Sequence, residues 1–232
     1  MDEVLGMRRQ MWKWALVPVL MLMGCAGGNE VAPLQVEIFR AGQETIAAKR
    51  AGKAAKPKPL SRSQIEALDL TIMEVTIENR DVVGYVTLNT EVDDTLPGRV
   101  QVWRTTDNIS LAMRNGVLIF TRGFGGDLQS SKVEVANARL GPSQGAMVHM
   151  IRASDDREVP FSLECDVVDL GVETIEVLEY KYSTRHVQQQ CAASSGQVIN
   201  DYWIDVNGGM IWQSRQWAGP FIGYLRFRRL TK

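Results

Sequence analysis

Histidine and cysteine are scarce in this chain, with two and three among 232 residues. His149 and His186 stand far apart, and Cys25, Cys165 and Cys191 form no CxxC. With no HxxxH spacing either, nothing in the sequence brings zinc ligands together, and neither a metal nor a cofactor is expected. The catalytic spacings GxSxG and HExxH are missing. So is the phosphate loop GxxxxGK[ST]: Gly123-Phe124-Gly125-Gly126 lacks the lysine and hydroxyl it requires and reads as a tight turn or bulge. Charge of one sign is also lacking, since 26 basic residues meet 27 acidic ones for a net charge of -1, which speaks against a nucleic-acid partner. No internal repeat of the kind that builds propellers or solenoids stands out. A glycosidase pair would have to come from Asp93-Asp94, Asp155-Asp156 or Glu158, and adjacent acids usually sit in solvated loops. The chain is not expected to be an enzyme.

One apolar run is present, and it lies near the start. Arg8, Arg9 and Lys13 precede Trp14 to Met23, and Gly24, Gly27, Gly28 and Asn29 stop the run before it is long enough to span a bilayer. That is the layout of a secretory signal over residues 1–24, with Met7 as an alternative start. Leu22-Met23-Gly24-Cys25 resembles the lipobox of bacterial lipoproteins, which implies acyl chains on Cys25 and cleavage before it. An ordinary signal peptide that contains a cysteine is the alternative. Several acyl chains hold a protein on a membrane where one gives only marginal binding. Ala26 stands where, by resemblance to enteric lipoproteins, an aspartate would favour the inner membrane, so anchoring in the outer membrane, facing the periplasm, is expected.

The periplasm is oxidising, so Cys165 and Cys191 are expected to pair. They are 26 positions apart (191 minus 165), and closing such a loop is worth roughly 3 to 4 kcal/mol in the chain-entropy account. Two buried free thiols are the alternative. Residues 25–59 read as a lipidated terminus and flexible stalk, with a short helix over 34–48 and then the basic, proline-closed stretch AKRAGKAAKPKP. Ser63-Gln64-Ile65-Glu66 fits a capping box.

From Leu68 onward the apolar period shifts toward two, the mark of half-buried strands. Leu68, Leu70 and Ile72 alternate, as do Val100 and Val102, then Ile109, Leu111 and Met113. Asn115-Gly116 predicts a hairpin tip of type I′, and Asn207-Gly208-Gly209 predicts a second turn. Leu163, Cys165 and Val167, then Ile175, Val177, Tyr180 and Tyr182, supply further strands, with Asp169-Leu170-Gly171 as a turn or bulge between them. Residues 60–232 are therefore expected to form an all-β domain, an antiparallel meander curled into a barrel or folded as a sandwich.

Aromatic residues concentrate near the end of the chain: Tyr202, Trp203, Trp212, Trp217, Phe221, Tyr224 and Phe227. Most should be core, while an exposed subset would suit a protein partner or sugar rings. Alternation puts Tyr202 and Trp203 on opposite faces, so one of the two points inward. Trp203, Trp212, Arg215 and Trp217 are the candidate contact residues.

The order of motifs resembles a known family. Trp103-Arg104, the hairpin Ile109-Ser110-Leu111 to Arg114-Asn115-Gly116, and Thr121-Arg122-Gly123-Phe124-Gly125-Gly126-Asp127-Leu128 resemble the middle of the YjbF/GfcB lipoproteins of group 4 capsule and exopolysaccharide operons. Asn200-Asp201-Tyr202-Trp203-Ile204-Asp205 and Ile211-Trp212-Gln213-Ser214-Arg215-Gln216-Trp217-Ala218-Gly219-Pro220 look like that family's closing signature. The resemblance implies a non-catalytic outer-membrane lipoprotein working in polysaccharide export or assembly beside a large outer-membrane β-barrel protein. A carbohydrate-binding role, with exposed Trp or Tyr touching the exported glycan, is the alternative.

Overall fold

The computed structural model describes residues 60–152, 157–194 and 196–232. The signal segment, Cys25, the stalk with its short helix, and Asp155 and Asp156 lie outside the described residues. The body opens with a short helix, α1 (Arg62–Glu66). Its capping box sits two positions earlier than the sequence pattern suggested. Ser61 accepts the Gln64 N–H while the Gln64 side chain accepts the Ser61 N–H. Starting there turns Ile65 onto the buried face, which outweighs the competing Ser63 motif.

Twelve strands follow among the described residues: β1 (Ile72–Ile77), β2 (Val82–Val92), β3 (Val100–Arg104), β4 (Ser110–Arg114), β5 (Val117–Arg122), β6 (Leu128–Lys132), β7 (Gly145–Arg152), β8 (Glu158–Val177), β9 (Tyr180–Ala193), β10 (Gly196–Asp205), β11 (Ile211–Trp217) and β12 (Tyr224–Arg229). Every ladder is antiparallel. Chain neighbours pair from β1 to β5 and again from β6 to β12, and β12 then returns to pair with β1. The edges of this single sheet are therefore β5 and β6, joined by the glycine-rich loop. They come side by side, and the Leu128 N–H donates to Thr121 Oγ1 across the seam at 2.9 Å. The result is a nearly closed, barrel-like sheet rather than a sandwich.

Both glycine turns form as the sequence required. Asn115 and Gly116 take φ of 47° and 83°, and Gly208 takes 77°. Asp127 caps the Gly123–Gly126 loop by accepting the N–H groups of Gly123 and Phe124. Three expectations shift. β1 begins only at Ile72, because Leu68 packs as part of the α1 layer. In β3 the inward side chain is Trp103, 1% exposed, while Val100 and Val102 stay partly open. The strand candidates Ile175, Val177, Tyr180 and Tyr182 divide between β8 and β9 at a turn where Leu178 and Glu179 take positive φ, while Asp169-Leu170-Gly171, of the turn or bulge expected there, is a bulge inside β8.

Two apolar clusters fill the interior. One gathers Val75, Ile77, Val86, Leu111, Leu118, Ile222 and Leu225, and the other Met147, Leu163, Cys165, Cys191, Val198 and Tyr202. Cys165 and Cys191 are directly opposed in the β8–β9 ladder and are joined as a disulfide. Outside the sheet, Ile65 and Leu68 pack with Ile72, Tyr85, Val177 and Leu230, so α1 and the β8–β9 tip share a third cluster.

Candidate functional site

The β2–β3 loop, the β4–β5 turn, the β6–β7 loop and the β10–β11 turn all lie at one end of the sheet, as up-and-down connectivity demands. Between them opens a cavity of about 600 Å³. It is lined by apolar side chains, among them Met73, Trp103, Met113 and Phe227, and by polar ones, among them Glu91, Asp93, Asp94, Arg99 and Gln101. Arg229 lines it as well.

The rim is fixed by charge. Arg114, almost fully buried, grips Asp94 through both guanidinium nitrogens at 2.9 and 2.6 Å and also donates to the Gly98 carbonyl. These bonds hold the Asp94 carboxyl down at about 2, so it is ionised at neutral pH and unsuited to general-acid work. Asp93 is held by Arg99 Nε at 3.1 Å, and Arg99 also reaches Glu91. The acid pair considered from sequence is thus committed to arginines, and Glu158 stands exposed at the start of β8, away from it. Asn115 ties three loops together: its carboxamide oxygen accepts the Arg99 N–H, and its NH₂ group donates to the Ala136 and Arg139 carbonyls. Among the described residues no group of three metal-ligating side chains assembles.

Arg229 differs from the other arginines of the site. Its Nε donates to the Thr231 carbonyl at 2.9 Å and its guanidinium lies 4.7 Å over the Trp103 ring. Among the described residues no carboxylate comes within ion-pairing distance of it. Burial lowers its pKa to about 10, with Glu91 acting in the opposite sense, so it remains a cation. Trp103 Nε1 is buried without a hydrogen-bond partner.

Of the four candidate contact residues, only Trp212 reaches this cavity, and it is 3% exposed, stacked on Tyr182 and bonded through Nε1 to Asp205. Trp203 lies half-buried against His186. Trp217 packs on Phe161 and His149. Arg215 is paired with Glu78 at 3.0 Å and stacked on Tyr224. Trp203 and Trp217 are thus partly exposed and Trp212 is buried, and each ring packs against a neighbouring aromatic side chain. Tyr202, as alternation required, is the inward member of its pair with Trp203. The sequence reading missed Arg229. The alternation Leu225, Phe227, Arg229 was the available signal, since two inward apolar residues carry the third position inward as well.

A family model described as "Group 4 capsule polysaccharide lipoprotein gfcB, YjbF" matches residues 33–230. The crystal structure of the hypothetical lipoprotein YmcC from Escherichia coli (K12) is similar in fold, with a TM-score of 0.62 and 19% identity over 82% of this chain and 95% of that one. No curated protein sequence matches the chain.

Proposed function

The chain belongs to the YjbF family of group 4 capsule polysaccharide lipoproteins, and from that premise we propose that it is a non-enzymatic accessory factor in capsule or exopolysaccharide secretion. In this reading lipid on Cys25 holds it on the periplasmic side of the outer membrane, and it works by binding an outer-membrane β-barrel protein of the same export system.

The observation that carries the partner half is the free side of β8. Its ladder with β7 ends at Cys165 opposite Gly145, so from Asp166 onward β8 pairs only with β9. Along this stretch Leu170 and Val172 are 51% and 62% exposed, beside Val168. An unpaired strand edge flanked by exposed apolar side chains is a template for strand addition, which soluble proteins normally blunt. Of the acids along this stretch, Asp169 is paired with Arg185 and Glu173 lies against His186, so the backbone edge and its apolar side chains are what it offers a partner strand. The aromatic strands β10 and β11, expected from sequence to be the contact surface, keep their rings in packing. The cavity favours a second role, contact with the glycan itself, because a space of about 300 to 1,000 Å³ with an apolar lining and a few convergent polar groups is the usual form of a small-molecule site.

The test is capture of the lipidated protein from its native envelope in mild detergent, beside a Leu170→Lys/Val172→Lys variant, with mass spectrometry of the proteins that co-purify with each. An outer-membrane β-barrel protein should accompany the wild type and be lost from the variant, whose melting temperature should be unchanged. Equal capture by both, or no barrel with either, would contradict the reading.

A further inference from the structure

We propose that the cavity is a binding site for an acidic sugar of a glycan chain, with Arg229 receiving the carboxylate of a uronic acid residue. The inference rests on the polysaccharide half of the proposed function and is independent of the partner half.

Three observations converge on it. First, the rim arginines are already taken: Asp94 is matched by Arg114, and Arg99 is shared between Asp93 and Glu91, so the rim itself carries one more carboxylate than arginine. Among the described residues of the site, Arg229 is the cation left without a carboxylate, although its desolvation makes an unpaired state costly. Only its Nε is committed, so the Nη edge keeps the two parallel donors that suit a carboxylate in bidentate geometry. Second, Trp103, in the same cavity and under the same guanidinium, holds a buried Nε1 donor with no partner. Buried donors are nearly always satisfied in native proteins, and an orphan beside an unpaired cation marks a place where an anionic acceptor is missing. Third, Gln101, Asn137, Gln213 and Glu91 also line the cavity; Gln101 donates to Glu91 and the Asn137 oxygen accepts the Gly98 N–H, and the remaining amide capacity suits hydroxyl groups while Glu91 would repel a simple polyanion. A ligand with one carboxylate and several hydroxyls satisfies Arg229 and these amides together. A phosphate monoester would meet Arg229 but bring nearly a second negative charge against Glu91.

The binding test uses the full-length lipidated protein in detergent micelles, titrated calorimetrically with trimers of galacturonate and of glucuronate and with the methyl esters of the same trimers, which keep the sugar hydroxyls and lose the carboxylate charge. At least one acid trimer should bind ten-fold or more tightly than its ester. Arg229→Gln should abolish that preference, and Trp103→Phe, which keeps the ring and removes the N–H, should weaken acid binding several-fold. Equal binding of acid and ester would overturn the assignment to Arg229 while leaving a glycan site in place. No binding of any trimer would overturn the site altogether, and capture of a barrel partner would still stand or fall separately. Because the acid and ester are compared on the wild type, the result does not depend on either variant folding.

Discussion

Gln216 shows how a single amide holds two walls of the sheet together. On β11 it faces inward, accepts the Leu118 N–H of β5 at 2.8 Å and the Tyr202 hydroxyl at 3.1 Å, and donates to the Gly116 carbonyl and Ser214 Oγ. Replacing it by leucine keeps the volume and strands two backbone groups and a phenol, so Gln216→Leu should lower the unfolding free energy by about 2 to 4 kcal/mol in urea titration. A loss below about 0.5 kcal/mol would mean that these groups find other partners. His149 is a second buried polar residue with a measurable consequence. It bonds Ser131 through Nδ1, lies against Trp217, and is pushed by burial down to about 4. The unfolded chain takes up a proton near pH 6.5 that the folded chain refuses until about pH 4, so stability should fall with falling pH across that window by up to about 1.4 kcal/mol per unit. His149→Met should flatten that segment of the stability curve, and an unchanged slope would assign it to carboxylates instead. Such residues were hard to read in advance. Asn115-Gly116 and Gly208 announced themselves because few residues tolerate positive φ, whereas Gln216, His149 and Arg229 are polar residues whose inward position depends on which strands face them.

At the scale of elements, period-two alternation located most strands, and it failed where two partners compete for a strand. At Asp169-Leu170-Gly171 the sequence leaves turn and bulge open, because the two use the same residues, and the β8–β9 turn at Leu178-Glu179 is hidden by apolar and aromatic residues on both sides of it. β4 is buried from Ser110 to Arg114 on both faces, which alternation alone does not foresee. The disulfide was legible from compartment and cysteine count, and its cross-strand placement adds a role, fixing the β8–β9 register where β8 loses its β7 neighbour. Cys165→Ser and Cys191→Ser should each cost about 3 kcal/mol, and the double variant should be little worse than either. Additive losses in thermal unfolding would show that each sulfur contributes separately.

For the whole molecule, the meander comes from the preference of successive strands to pair, and so was available from the sequence. Closure was not. The choice between barrel and sandwich depends on β1 meeting β12 and on β5 meeting β6, contacts between segments far apart or rolled together that no local pattern encodes. A chain ending before Tyr224 should therefore fail to fold: it leaves β1 and β11 with bare edges and removes Leu225 and Phe227 from the core. Circular dichroism and limited proteolysis check this, and a compact, protease-resistant truncate would contradict it. The same pairing sets a clock. A chain that crosses a membrane amino-terminus first delivers β1 early and its partner last, so the central ladder waits until the final strand has arrived. Until then β1 keeps one bare edge and the core lacks Leu225 and Phe227. The sheet locks only around a polypeptide that has been delivered through β12.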